Sequence, residues 1–275
     1  MKQSILRIAS VFLLLLGHFN ANAQAAEPLY KTDWIRDGAI TAAGVGMAVI
    51  GSSLILNKEP LTEADLISLD RRQVNSFDRF STGYYSKNAK DLSDIPFYTS
   101  FALPLIFLAD DQAVPQAPQI YLLYAEAISL TGGLYALTAG LTNRKRPNVY
   151  GTDVPTEERL HKYATNSFFG GHTAATATAT FFTAKVFNDL HPNSSWKPVV
   201  WGAAAAVPAA VGYLRLKAGK HFLSDNLIGY AVGAGIGILV PELHKKNSNI
   251  GWRLTPTTRL IAGESIQGVA LTKRF

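Results

Sequence analysis

His221 precedes Asp225 by four residues and follows Arg215 by six, in the stretch Arg215-Leu-Lys-Ala-Gly-Lys-His221-Phe-Leu-Ser-Asp225. On a helix, that spacing sets a carboxylate one turn from an imidazole. There it can fix the tautomer, orient the ring and stabilise the charge that develops when the ring attacks an electrophile. A histidine that accepts a phosphoryl group is the sharper chemical reading, and a helix-surface hydrogen bond beside a solvated arginine is the plainer one.

Two further segments carry groups suited to the same chemistry. Asn143-Arg-Lys-Arg146-Pro147-Asn148 closes an apolar run, and Pro147 stops any helix there. The Arg146 guanidinium stays charged at any working pH and grips phosphate oxygens bidentately, although a basic cluster beside an apolar helix also reads as a membrane-flanking anchor. In Asn166-Ser-Phe-Phe-Gly170-Gly171-His172-Thr173, two glycines allow close backbone approach. A helix starting near His172 would aim free N–H groups at an anion, and the imidazole could protonate a leaving oxygen or simply pack at the helix start.

Taken in order, the three segments resemble the type 2 phosphatidic acid phosphatase and vanadium haloperoxidase superfamily. Its pattern runs Lys-x6-Arg-Pro, then Pro-Ser-Gly-His, then Ser-Arg-x5-His-x3-Asp, and the match covers residues 139–225. The resemblance implies that His221 is the nucleophile with Asp225 as its partner and His172 the general acid. Arg146 and Arg215 would clamp the phosphate, helped by the amides of Gly170 and Gly171. This chain departs from the pattern at Ala139 in place of the lysine, Phe169 and Gly170 in place of Pro-Ser, and Leu214 in place of the second serine. Arg144, Lys145, Lys217 and Lys220 are candidates to replace the lost charge, and a glycine N–H can still donate where the serine stood.

The function so implied is hydrolysis of a phosphomonoester or pyrophosphate, on a membrane lipid or a small phosphate ester, through a phosphohistidine and without a cofactor. A soluble periplasmic non-specific acid phosphatase and a vanadate-dependent haloperoxidase, with His221 on vanadium, are the alternatives. An inactive relative that keeps the fold is a further one. No cluster of residues shows metal-ligand spacing, so no metal site is expected. His161 falls in a polar loop at the pocket entrance or in solvent, while His191 and His244 lie in short polar segments. Ala218-Gly219-Lys220 is not a nucleotide-binding loop, because Gly212 stands seven residues before Gly219 and His221 follows the lysine.

The remaining sequence says where such a site would sit. Lys2 and Arg7 flank the apolar run Ile8–Leu16, and Ala21-Asn-Ala23 supplies small residues at a cleavage position, so residues 1–23 read as a signal peptide. The net charge of +6 becomes 24 minus 20, or +4, without them. That surplus suits anionic headgroups and not a nucleic-acid partner. There is no cysteine, which excludes disulfides, thiol catalysis and thiolate metal sites.

Apolar stretches at 38–56, 95–109, 118–141, 172–187, 198–213 and 223–241 predict an all-α bundle of about six helices. They are Ala/Gly-rich and carry polar intruders such as Glu126 and Lys185, a composition shared by membrane spans and buried bundle helices. The resemblance favours membrane association. The expected organisation is a leader at 1–23, an N-terminal helix and polar connection at 24–94, a phosphatase core at 95–245 and a tail at 246–275. Within the connection, Asp70-Arg71-Arg72 and Asp78-Arg79 read as a solvated charged surface or an amphipathic cover, and Arg259–Leu271 as a hairpin around a Gly-Glu-Ser turn.

An exported protein of the bacterial cell envelope is implied, with its site facing the periplasm. With the leader cleaved outside, six crossings would instead place all three motifs inside, so an external site needs one stretch, 38–56 or 95–109, not to cross.

Overall fold

The computed structural model describes residues 28–246, and for the tail only the backbone of Trp252–Ile261 and Glu264–Lys273. The leader expected at 1–23 lies outside the described residues. Residues 28–246 contain eight helices: α1 Trp34–Leu56, α2 Glu63–Ile67, α3 Lys87–Ser100, α4 Ala117–Leu141, α5 Thr156–Arg159, α6 Gly171–Leu190, α7 Lys197–Lys217 and α8 Leu223–His244. The fold is helical. The tail backbone is extended, but the expected hairpin is not supported as part of the fold and lies where no side chain is described.

Local signals set the helix starts. Asp33 accepts from the amides of Ile35 and Arg36 to cap α1, and Ser86 accepts from Ala89 to cap α3. That second cap starts α3 inside the stretch expected to be a polar connection. Beyond Ser100 the same segment tightens into a 3₁₀ helix over Leu103–Ala109.

Small residues decide how the helices approach one another. A Cβ on Gly51 would stand 2.2 Å from the Ala136 carbonyl carbon, and one on Gly44 2.6 Å from that of Ser129, so α1 lies directly on the α4 backbone. In α8 the glycines recur every four residues. A Cβ on Gly229, Gly233 or Gly237 would stand 2.4, 2.1 or 2.7 Å from the carbonyl oxygens of Gly170, Ala174 and Thr178. Both pairs run parallel, since partner numbers rise together.

The central helix is α6, with 15 of its 20 residues buried, chiefly Ala and Thr. Several of its hydroxyls are satisfied internally, while that of Thr176 is buried without a partner: Thr178 donates to Ala174 O and shares a 2.8 Å contact with Thr131, and Thr180 donates to Ala204 O. The large apolar side chains point the other way. Ile35, Val49, Ile95, Val199, Leu227 and Leu243 are all more than half exposed. Small residues inside and large apolar residues outside suit a bundle whose solvent is hydrocarbon. Five segments, Trp34–Leu56, Lys87–Ala109, Val114–Leu141, Lys197–Lys217 and Leu223–His244, are long and apolar enough to cross a membrane. The surroundings of α6 are protein, so its own composition has no need to be lipophilic.

Successive long helices alternate in direction, and the bundle has two distinct ends. The three sequence motifs gather at one. At the other, Asp37 near the start of α1 meets His244 at the end of α8. The polar connection lies over the motif end with Arg71, Arg72 and Arg79 exposed, so it is in part a solvated charged surface and in part a cover. Its buried Asp78 accepts from the Ser224 amide at 2.9 Å and pairs with Arg144 at 2.6 Å.

Candidate active site

Four short pieces of backbone bring the charged groups together. After α7, Gly219 adopts φ +68, and a Cβ there would stand 1.7 Å from the Tyr84 carbonyl oxygen, so only glycine allows this turn. The turn sends Lys220 and His221 back over the end of the bundle. Arg146 precedes the 3₁₀ turn Pro147–Tyr150, and its amide is held by the Ala164 carbonyl. His172 is the second residue of α6, whose first-turn amides have no intrahelical partner. Arg215 projects from the last turn of α7.

These side chains line one cavity of about 350 Å³, into which His172, His221, Arg146 and Arg215 all reach. His221 is buried, and its Nδ1 lies 2.6 Å from the Ser167 carbonyl oxygen. A carbonyl only accepts, so Nδ1 carries the proton and Nε2 keeps its lone pair. Burial, and after it the charge of Arg146, holds the His221 pKa well below the ordinary histidine value, which keeps the ring neutral. The Nε atoms of Arg146 and Arg215 are buried without a hydrogen-bond partner, leaving donors for an oxyanion.

Asp225 does not pair directly with His221. The residue before α8 is Phe222, so His221 stands outside the helix and the one-turn geometry of an i, i+4 pair does not apply. Asp225 instead accepts from Phe222 N at 2.9 Å and from Ser167 Oγ at 2.6 Å, and pairs with Arg144 at 2.8 Å. It reaches His221 through Ser167. Gly170 likewise has another task, since its N–H donates to the Asp225 carbonyl at 2.8 Å and is not available to a phosphate. Gly171 remains a candidate donor, and it must be glycine because a Cβ would meet the Tyr135 ring at 2.6 Å.

The sequence reading missed Asp94. Its Oδ1 lies 2.8 Å from Arg215 NH2 and 3.4 Å from His172 Nε2, so one carboxylate orients a guanidinium and an imidazole together. Phe97 stacks on the His172 ring with centroids 3.9 Å apart. The signal was present as Lys90, Asp94 and Tyr98, spaced by four on one face of α3, and all three line the cavity.

Of the candidates for the lost lysine charge, Lys220 lines the cavity, with its Nζ 2.9 Å from Glu158, and Lys90 joins it from α3. Arg144 is engaged with Asp78 and Asp225, Lys217 lies over Tyr84, and Lys145 does not line the cavity. At Ala139 itself, Lys58 donates to the backbone oxygens of Ala139 and Thr142 and to Asn166 Oδ1, fastening the end of α4. His161 also lines the cavity.

A helical bundle with paired imidazoles and guanidinium groups lining one cavity is the arrangement that the three motifs lead one to expect. Residues 120–249 match the family model described as the PAP2 superfamily, which supports the resemblance to the type 2 phosphatidic acid phosphatases. Among solved structures, the first transmembrane PAP2 type phosphatidylglycerolphosphate phosphatase from Bacillus subtilis is similar at 19% identity. That match covers 75% of this chain and 91% of the other, with a TM-score of 0.35. No match is found among curated proteins.

Proposed function

We propose that this protein removes a phosphoryl group from a phosphorylated membrane lipid through a phosphohistidine on His221. The observation that carries the proposal is the convergence of two imidazoles and two guanidinium groups on one cavity. His221 Nε2 attacks phosphorus in line while the P–O bond to the leaving oxygen breaks. Arg146, Arg215 and the Gly171 amide meet the charge on the equatorial oxygens, and Lys220 and Lys90 supply what the missing lysine would. His172, oriented by Asp94, gives its proton to the departing alkoxide and then takes one from the water that cleaves the phosphohistidine. The route uses side chains and backbone alone.

A lipid substrate is favoured by what surrounds the cavity. Tyr98 lines it while being 66% exposed, and Leu92 and Ile95 continue the exposed apolar face of α3. An acyl chain can follow that face while its headgroup enters the charged pocket.

The start of α1 and the cavity occupy opposite ends of a bundle in which all six long helices traverse. A periplasmic site therefore requires the segment before Trp34 to stay on the inner side, and a leader cleaved outside would put the site inside. Single-cysteine labelling at residue 31 and residue 87 in intact cells decides between them, because the two positions face opposite sides.

The function is tested by phosphate release from phosphatidate, phosphatidylglycerol phosphate, undecaprenyl pyrophosphate and a water-soluble monoester. The wild type should prefer a lipid and form a base-stable phosphoenzyme. His221→Ala should lose turnover by about 10³-fold or more and form no adduct. Equal turnover by both proteins, or vanadate-dependent halide oxidation without phosphate release, overturns the assignment.

A further inference from the structure

At the end of the bundle away from the phosphate cavity, Asp37 of α1, Glu126 of α4 and His244 of α8 each turn a ligand atom toward a common point, all within 4.8 Å of one another. The three residues are 0%, 3% and 7% exposed. They are scattered through the sequence, and only the parallel packing of α1 on α4 and the return of α8 bring them together.

The hydrogen bonds around this point do not close. His244 Nδ1 lies 2.7 Å from the Val240 carbonyl oxygen and must donate to it, so Nε2 is the free nitrogen. That nitrogen faces Asp37 Oδ1 at 3.2 Å and Glu126 Oε2 at 4.0 Å. In a neutral ring, a lone pair would then point at two carboxylates, which only a cation between them relieves. A proton on Nε2 would satisfy Asp37, yet Glu126 Oε2 is buried with no hydrogen-bond partner and lies beyond hydrogen-bond reach of the ring. Asp37 is otherwise paired, since Arg36 Nε donates to its Oδ1 at 2.6 Å and the Asp33 amide to its Oδ2 at 2.7 Å. The charge left unpaired is that of the buried Glu126 carboxylate, which a metal ion between it and His244 would meet.

We infer that Asp37 Oδ1, Glu126 Oε2 and His244 Nε2 form a binding site for a divalent metal ion of the zinc type. Imidazole and carboxylate donors suit that ion, and a histidine ligand that gives its other N–H to a backbone carbonyl is the usual way its ring is oriented. Three protein ligands leave the fourth position to water. The ion would clasp α1 to α4 and α8 at the end where α1 begins, independently of the phosphatase chemistry at the opposite end.

The test uses the full chain, purified in detergent and stripped with a chelator, then titrated with Co²⁺ and separately with Zn²⁺. The wild type should take up a single equivalent of Co²⁺ with visible absorption bands, and Zn²⁺ should raise its unfolding midpoint. Glu126→Gln and His244→Gln should each weaken Co²⁺ binding about tenfold or more and abolish the midpoint rise, while phosphate release persists in both. The double variant His172→Gln/His221→Gln should keep the bands, which separates this site from the active-site imidazoles. A wild type that takes up no Co²⁺ overturns the inference, whether or not the variants fold. So does undiminished binding in Glu126→Gln, or bands that vanish in the active-site variant alone.

Discussion

The carbonyl oxygen of Ser167 lies 2.6 Å from Nδ1 of His221. The hydroxyl of the same serine donates to Asp225 Oδ2 at 2.6 Å. One residue thus passes the orienting influence of the buried Asp225 carboxylate to the His221 ring, where the sequence motif implies direct contact between carboxylate and imidazole.

Ser167→Ala keeps the carbonyl and removes the hydroxyl, so it tests the linkage without deleting the partner of Nδ1. Turnover should fall roughly tenfold with KM within about twofold, because ring orientation matters most in the transition state. Asp225→Asn should cost more, about 1–3 kcal/mol, since the ion pair with Arg144 is lost as well. Unaltered steady-state kinetics in both variants would remove Asp225 from any positioning role.

Asp94 orients His172 and Arg215 at once. In Asp94→Asn, turnover of an alkyl phosphate should drop by about 10²-fold, the scale of lost general-acid assistance. An aryl phosphate, whose leaving oxygen needs little protonation, should lose much less. If both substrate classes slow by the same factor, Asp94 serves the arginine and not the acid.

The depressed pKa of His221 also makes stability depend on pH. The folded protein keeps this ring neutral because burial and Arg146 oppose its charge, whereas the unfolded chain takes up a proton below about 6.5. Below that value the unfolded state binds more protons, so stability rises with pH and is lost on acidification. The unfolding midpoint should decline from pH 7 to pH 5, and His221→Gln should flatten the decline. Burial shifts His161 in the same direction, so some slope will persist. An identical slope in wild type and variant would contradict the neutral buried ring.

Helix packing offers a test away from the site. A Cβ on Gly51 would lie 2.2 Å from the Ala136 backbone, while nothing stands within 4 Å of one on Gly46. Gly51→Ala should therefore force α1 away from α4 and cost about 1–3 kcal/mol, seen as a lower unfolding midpoint in detergent. Gly46→Ala should be neutral or stabilising by up to about 1 kcal/mol, because alanine is the better helix former.

Much of the site was legible because its members stand in short motifs. Arg146-Pro147, Gly171-His172 and the Arg215 to His221 spacing each combine a chemical group with the residue that shapes the backbone beside it, and the apolar runs between them gave the six long helices. Other parts left no such trace. A backbone carbonyl, such as that of Ser167, is the same atom in every residue, so its pairing with His221 has no sequence signature. Lys90 and Asp94 were hidden because the charged start of α3 resembles a polar connection, although Ser86 caps a helix there. Glu126 and His244 read as isolated polar positions because their partners are far away in the chain.

Sequence alone determined the chemical inventory and its order: two histidines, two arginines, the glycines that let backbone close on ligand or helix, and apolar stretches of spanning length. Only the tertiary structure decided which carboxylate serves which imidazole, which lysines enter the cavity, and that three distant residues converge at the far end of the bundle. The reason is range. Turns, caps and helix periodicity are set by neighbours a few residues apart, whereas contacts between helices depend on which small residues let two backbones meet, and that choice is made across the whole chain.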